Sequence, residues 1–353
     1  MEKILEKLNF KLMSEILQLF DPKFTLPFLR QKLLPLYPGW HIKAIEIIPH
    51  KKNIWPGGAY HVVIEFRTTF QKDGQQIILP IFCSAHSHEP RRNVYMVLKY
   101  LWQHGFGSSQ LVIPRPLFYS QRFRATFYRG IEGRNLYYFI RNQNLSTIKQ
   151  LVPQAARWFA KLHAIVPNNN FNFNRANSRI RTVIPGYRYI LERIKSKYPQ
   201  HYPLFKRGYQ IFIEAEEKFL NSTSRRWLVH GDAHPENIIK ISKQKIGVID
   251  FTDFCLSDFA RDLGSFKQQL EFMCCRKISS SGFCQNMEKL FLSSYFKAAG
   301  QKLTSSLEHR INIYYYWTAL RTVGFLLMKD NPDPTKAKPL IQKLRAYLNN
   351  YVN

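Results

Sequence analysis

Residues 227–263, reading WLVHGDAHPENIIKISKQKIGVIDFTDFCLSDFARDL, place polar groups at separations that bring them to one spot. Two short β-branched runs, 238–241 and 246–249, flank the polar residues 242–245, the pattern of a hairpin with a four-residue loop. If Ile241 pairs with Ile246, then Ile238 pairs with Ile249 and Asn237 lies opposite Asp250 at the open end. Directly opposed residues have Cβ atoms about 4.5–5.5 Å apart, close enough to share a divalent cation. Amide, carboxylate and water oxygens are what Mg²⁺ prefers, with the remaining positions left for substrate phosphates. Asp232 stands five residues before Asn237, in a His-Gly-Asp segment that follows the apolar Trp227, Leu228 and Val229. A carboxylate held just beyond a strand end and beside a cation can orient and deprotonate a substrate hydroxyl.

An Asp, an Asn five residues on and an Asp-Phe thirteen residues after the Asn (250 − 237) are the base and the two metal ligands of kinase-type phosphotransferases. The stretch resembles the catalytic loop and metal-binding segment of the aminoglycoside phosphotransferase and choline kinase superfamily. It is closer to the aminoglycoside phosphotransferase branch, because HGDxHPxN and the later Asp258-Phe259-Ala260-Arg261-Asp262-Leu263 fit that pattern. The resemblance implies an α+β, two-lobed protein-kinase-like fold with a small β-rich N-lobe and a larger, mainly helical C-lobe. It implies ATP and Mg²⁺ as cofactors, Asp232 as catalytic base, and Asn237 and Asp250 as metal ligands. His230, Asp258 and Asp262 would support the loop, the acids by hydrogen bonding. Other readings compete. His230 and His234 are four apart, as zinc ligands on a helix are, but Gly231 and Pro235 argue against a continuous helix there. Asp258 and Asp262 would also serve as surface acids or as a cap and a helix residue. Asp253 carries no assigned direct role.

With 353 residues the chain can bury two substantial cores, and 45% hydrophobic and 15% aromatic residues describe a globular protein. No apolar run approaches the roughly 18–20 residues that span a bilayer, and the first residues lack a signal peptide's apolar core and cleavage site. Five cysteines, an odd number, suit free thiols in a reducing cytoplasm, so a cytoplasmic location is expected. The net charge of +28 favours anionic partners, yet no helix-turn-helix, zinc finger or RNA-binding signature accompanies it. A solvated basic surface is therefore expected rather than sequence-specific nucleic-acid binding; nothing in the sequence sets the oligomeric state. The acids are unevenly placed: six of the 24 fall between Asp232 and Asp262, against four basic residues, as a cation site in a basic protein requires.

Along the chain, apolar residues from Ile4 to Leu19 with lysines at four-residue spacing predict an amphipathic helix over 1–20, ended by Asp21-Pro22. Residues 24–38 read as a proline-punctuated connection with a short helix near 28–34. Residues 42–48, 60–70 and 76–82 read as strands, with a hairpin turn at Lys72-Asp73-Gly74. The Pro56-Gly57-Gly58 loop sits where a kinase-like small lobe covers phosphates, and Gly57 and Gly58 would let backbone N–H groups approach them; a plain turn explains them as well. A helix over 90–104 and short strand pieces near 111–113, 118–119 and 125–131 complete the small lobe. By the resemblance, the nucleotide's adenine edge would bond the backbone near Arg129, Gly130 and Ile131, with Ile249 beside it. Helices follow at 145–166, 187–198, 209–221, 265–275, 284–299, 305–328 and 336–350. The expected domains are a helical extension over 1–38, an N-lobe over 39–130 and a C-lobe over 131–353.

One feature departs from the family. Its third strand should carry a lysine for the nucleotide phosphates, paired with a glutamate in the next helix, but residues 77–84 hold no lysine and Val94 stands near the glutamate position. His86, Arg91, Arg92 and the Lys51-Lys52 pair are the candidate substitutes. The expected activity is phosphoryl transfer from ATP to a hydroxyl of a small molecule; the alternative is a degenerate kinase-like binding or regulatory protein. An aminoglycoside acceptor is disfavoured, since the region after Leu263 carries five acids against thirteen Lys and Arg residues.

Overall fold

Asp21 both ends the helical turn Gln18–Phe20 and opens the next helix. In the computed structural model, which describes residues 15–55, 58–89, 91–167 and 174–351, its side chain accepts a hydrogen bond from Lys23 N (2.9 Å) and Pro22 follows at the first helical position. Helix α1 runs from there, Pro22–Leu33, where a connection and a shorter helix are expected. The predicted amphipathic helix over 1–20 lies mostly outside the described residues, and so does Gly57.

The chain divides into two compact units, residues 1–133 with 241–252, and residues 134–240 with 253–353. The first is built on a five-stranded antiparallel sheet ordered β1-β2-β3-β6-β5, with β1 His41–Ile54, β2 Tyr60–Lys72, β3 Gln75–His86, β5 Arg115–Ser120 and β6 Ala125–Arg129. Asp73 and Gly74, both at positive φ, form the tight turn between β2 and β3. Alternation along β2 buries Tyr60, Val62, Ile64, Phe66, Thr68 and Phe70 completely. That core includes Phe123 and Phe127, and Phe24 and Phe28 of α1 pack against it. Helix α2, Arg92–Leu101, follows β3. A short parallel pair completes the unit, β4 (Leu111–Val112) against β10 (Ile246–Val248). The predicted loop before β10 is closed by Lys245, whose carbonyl accepts from Ile241 N (3.0 Å) and Ser242 N (3.1 Å).

The second unit is mainly helical: α3 Leu136–Arg141, α4 Leu145–Ala164, α5 Tyr187–Lys197, α6 Tyr202–Ser222, α7 Ala260–Cys275, α8 Ser281–Ala299, α9 Ser305–Met328 and α10 Pro334–Asn349. Asn135, Asn144, Ser280, Thr304 and Asp333 cap α3, α4, α8, α9 and α10 with their side chains, which is why those starts fall where they do. Helix α6 begins seven residues before the expected 209 (209 − 202), because Gly208 is not a breaker there. A Cβ on it would meet Leu320 at 3.1 Å, so the residue permits close packing on α9. Gly264 does the same for α7: a Cβ would lie 2.5 Å from the Ile311 carbonyl oxygen, so the α7 and α9 backbones touch. Two short antiparallel pairs lie among the helices, β7 (Arg134–Asn135) with β9 (Ile238–Lys240), and β8 (Trp227–Val229) with β11 (Cys255–Ser257). Among the described residues no helix is long and apolar enough to cross a membrane.

Candidate active site

The chain turns sharply after β8 because Gly231 takes φ +83° and lies against Asp253; a Cβ would be 2.2 Å from the Asp253 carbonyl oxygen, so no other residue fits. The turn exposes two backbone donors to the same buried carboxylate. Asp262, in the first turn of α7, accepts from His230 N (2.7 Å) and Gly231 N (3.0 Å). His163 Nε2 approaches it at 3.1 Å, and His163 Nδ1 lies 2.9 Å from the Tyr295 hydroxyl. Burial alone would raise the Asp262 pKa, but the hydrogen bond from His163 and the histidine charges outweigh it and hold the carboxyl below its usual range. Arg261 clamps the other side, donating to the Gly231 carbonyl (3.3 Å) and to the Asn177 carbonyl. Asp258, also buried, accepts from Arg310 at 2.5 Å and from Ala260 N at 3.1 Å; burial raises its pKa, with Arg310 opposing.

This bracing sets the loop that carries Asp232. The Asp232 carboxylate is 43% exposed, with His234 Nε2 at 3.2 Å from Oδ2. His234 Nδ1 accepts from Glu236 N (3.2 Å), so the ring proton belongs on Nε2 and is donated to Asp232. Asn237 ends the short 3₁₀ turn Pro235–Asn237 and is nearly buried. Its Nδ2 donates to the Asp232 carbonyl (2.9 Å) and Oδ2 (3.3 Å), which leaves its amide oxygen as an acceptor. Desolvation works to raise the Asp232 pKa, but His234, His230 and Asn237 together drive it well below the ordinary carboxylate range. The group is thus ionised at every physiological pH. Asp253 uses its side chain to accept from Asn177 Nδ2 (2.7 Å) and lines the same cavity as Asp232.

The remaining predicted residues belong to the first unit. Asp250 is exposed and held at φ +64°, with Thr252 N donating to its Oδ1 (3.3 Å). Ile249 precedes it, half-buried. Of the predicted hinge residues, Arg129 is engaged in the ladder by pairing with Ile81 and Arg115, and Gly130 N donates to the Pro80 carbonyl (2.8 Å). Ile131 packs on Gly247, where a Cβ would be 2.3 Å from Ile131 Cδ1. Gly58, at φ +83°, donates its N–H to the Trp55 carbonyl (3.2 Å), as in a plain turn.

Of the candidate substitutes for the absent strand lysine, Arg91 is the one that is buried. It is 5% exposed, its Nη1 lies 3.2 Å from Glu89 Oε2, and its Nε has no partner among the described residues. Arg92, by contrast, is exposed on α2. His61 and His86 lie against each other with ring centroids 4.9 Å apart and planes tilted by 56°. Burial, followed by Lys51, Arg91 and His86, pushes His61 down to about 4, with Asp250 opposing, so these charges share one neighbourhood. His86 Nδ1 is already an acceptor for His88 N and Glu89 N (3.2 Å each).

Sequence reasoning missed Arg261, Asn177, His163 and Arg310. Arg261 stood inside the recognised motif, but nothing local to it reveals that it grips the Gly231 carbonyl. Asn177 and His163 lie 84 and 99 residues from the groups they meet in α7, beyond any spacing argument.

A family model described as phosphotransferase enzyme family matches residues 63–286, more than half of the chain. The fold is similar to that of choline kinase from Cryptosporidium parvum (TM-score 0.59, 12% identity, covering 93% of this chain and 97% of that one). It is also similar to a choline/ethanolamine kinase family protein from Mesorhizobium loti (0.55, 14%, 92% and 95%) and to the ADP-bound aminoglycoside phosphotransferase APH(2'')-Ib (0.53, 15%, 91% and 98%). No curated protein matches the chain by sequence.

Proposed function

The chain belongs to that phosphotransferase family, and we propose that it transfers the γ-phosphoryl group of ATP to a hydroxyl of a small molecule in a Mg²⁺-dependent reaction. The observation that carries this reading is Asp232: an ionised, partly exposed carboxylate on a loop locked by Asp262 and Arg261, with Asn237 fixed beside it. The donor set suits a hard cation, since the Asn237 amide oxygen remains an acceptor and Asp250 presents an exposed carboxylate. Bound there, Mg²⁺ would neutralise phosphate charge. Asp232 orients the acceptor hydroxyl and takes its proton as the oxygen attacks phosphorus. His234 keeps Asp232 ionised until then, and the bracing of His230 and Gly231 by Asp262 spares the loop any reorganisation. Arg91 takes the place of the strand lysine on the phosphates, and Ile131 and Ile249 sit at the adenine.

The absence of that lysine favours a second reading, binding without turnover. A calorimetric titration with ATP, with and without Mg²⁺, separates the two. Asp250→Asn removes a charged ligand, and Mg²⁺-dependent ATP binding is expected to disappear while the melting curve stays unchanged. Undiminished Mg²⁺ dependence in that variant would sink the cation assignment.

A further inference from the structure

A cavity of about 660 Å³ lies within the second unit, and Asp232 forms part of its wall. Its carboxylates, Asp232, Glu236 and Asp253, all come from the catalytic loop and the segment after Asp250. Apart from Pro185 and the loop residues Gly231, Ala233 and His234, the rest of the wall comes from helices and their ends. Ser265 bonds Thr318 and Gln269 bonds Thr322 (2.8 Å each), so α7 and α9 run side by side in the same direction. They lead away from the catalytic loop, because Trp317 is tied to that end through Arg261, whose guanidinium lies 5.1 Å over its ring and donates to Gly231 O. From Trp317 to Lys329 the helix rises about 18 Å, at 1.5 Å per residue. Along that length α7, α9 and the residues after them give the cavity apolar surface from Phe272, Met273 and Trp317, and four cations, but no carboxylate.

Of the four cations, Lys336 pairs with Asp333. Arg276 and Lys329 stand at the C-terminal caps of α7 and α9, where the helix dipole alone favours positive charge. Arg321 has no such reason to be there. It lies inside α9, half-buried, stacked on Trp317 at 5.1 Å, with Nη2 on the Ile184 carbonyl (3.3 Å). Among the described residues no carboxylate comes within ion-pair distance of it. Burial pulls its pKa down, and Asp253 and Asp232 are near enough to act against that shift. A guanidinium held over a ring, with donors to spare, is pre-organised for an oxyanion.

We propose that Arg321 anchors an anionic group of the phosphoryl acceptor, so that the acceptor is a hydroxylated small molecule with an apolar body and an oxyanion, either a carboxylate or a phosphate ester. Its hydroxyl meets Asp232, its body lies on Trp317, Phe272 and Met273, and its oxyanion takes the free edge of Arg321. A cationic acceptor would meet carboxylates only at the catalytic-loop end of the cavity, at Asp232, Glu236 and Asp253, and none along α7 and α9. The inference rests on the phosphotransferase reading only for where the hydroxyl sits.

The test is binding to the full chain without nucleotide. Four probes share one skeleton: 3-phenyllactate, 2-hydroxy-3-phenylpropyl phosphate, the neutral 3-phenyllactamide and the cationic 1-amino-3-phenylpropan-2-ol. Both anions are expected to bind about 10-fold or more tightly than the amide, as a charge-assisted bond to a guanidinium implies, and the amine most weakly. The tighter anion identifies the oxyanion. Arg321→Gln should erase the preference, and Arg321→Lys, which keeps the charge but not the fork, should retain part of it. The proposal is overturned if the amine binds as well as the anions or if all four probes behave alike, including no binding by any. It is equally overturned if the preference survives in a folded Arg321→Gln or is unchanged in Arg321→Lys. A Mg²⁺-ATP titration on the same preparation keeps the two claims apart. Anion preference without nucleotide binding would leave this site standing and remove the phosphotransferase reading; nucleotide binding without anion preference would do the reverse.

Discussion

The two units hold their buried charges differently. In the second, each buried acid meets at least one donor: Asp262 with two backbone N–H groups and His163, Asp258 with Arg310, Glu216 with Ile180 N and the Tyr314 hydroxyl, although Asp258 Oδ2, Arg261 Nε and Arg310 Nε have no partner among the described residues. In the first, Arg91 is buried with an unpartnered Nε and crowds His61 and His86. A buried cation with an unfilled donor is costly unless a ligand completes it. On the proposed reading, the loop that carries Asp232 is braced before anything binds, whereas Arg91 would gain its missing partner from a nucleotide phosphate. Chemistry and nucleotide affinity should accordingly be separable by mutation.

The sharpest break is Asp232→Asn. The amide keeps the size and most hydrogen bonds but cannot take a proton, and general-base catalysis is worth about 10²–10⁴-fold. Turnover with any acceptor should fall by about that factor, while Mg²⁺-ATP affinity and the melting curve hold. Steady-state kinetics and a thermal melt on one preparation decide it. Near-normal turnover would show that the base is another group, and a joint loss of stability and binding would show that Asp232 only braces the loop.

A smaller effect tests the other unit. Arg91→Ala should weaken ATP by about 10-fold, the worth of a charge-assisted hydrogen bond, and leave adenosine unchanged, because only the phosphates are contacted. Alanine at Arg92, exposed on α2, should do nothing. Equal losses for ATP and adenosine would place the phosphates elsewhere.

The contrast also marks what a sequence can disclose. Strand β2 and helix α9 are written in their own residues, by alternation at Tyr60 to Phe70 and by a Thr304 cap. The contact between Asp232 and Asn237 was legible because the two lie five positions apart (237 − 232) in a recognisable motif. What braces that motif was not. His163, Asn177 and Arg310 reach it through tertiary packing, and Arg321 belongs to a helix whose surroundings on α7 exist only once Gly264 lets the two backbones meet. Strand β11, three residues long and paired only with β8, has no periodicity to read. Asp21-Pro22 was read only as a stop, but the pair also starts the next helix, because it does both with equal ease.

The smallest expected effect concerns how well the second unit's matching is tuned. Glu216 is 2% exposed, accepts from Ile180 N (2.7 Å) and Tyr314 Oη (3.0 Å), and burial pushes it up to about 7. Its folded pKa exceeds the unfolded value near 4.5, so between those pH values the unfolded chain releases a proton that the folded chain keeps. Stability therefore falls as pH rises through that window, and the loss is complete above about 7. Glu216→Gln has no proton to lose. Its amide can donate to Tyr314 Oη while its oxygen accepts from Ile180 N, so both neighbours stay satisfied. At pH 4 the variant should match the parent. At pH 8 it should be more stable by about 3 kcal/mol, at roughly 1.4 kcal/mol per unit of pKa difference. Denaturant unfolding at the two pH values measures the difference. A variant weaker than the parent at pH 8 would mean that Glu216 is held as a carboxylate, with Arg261 supplying the countercharge, and that the second unit's acids are matched by charge as well as by hydrogen bonds.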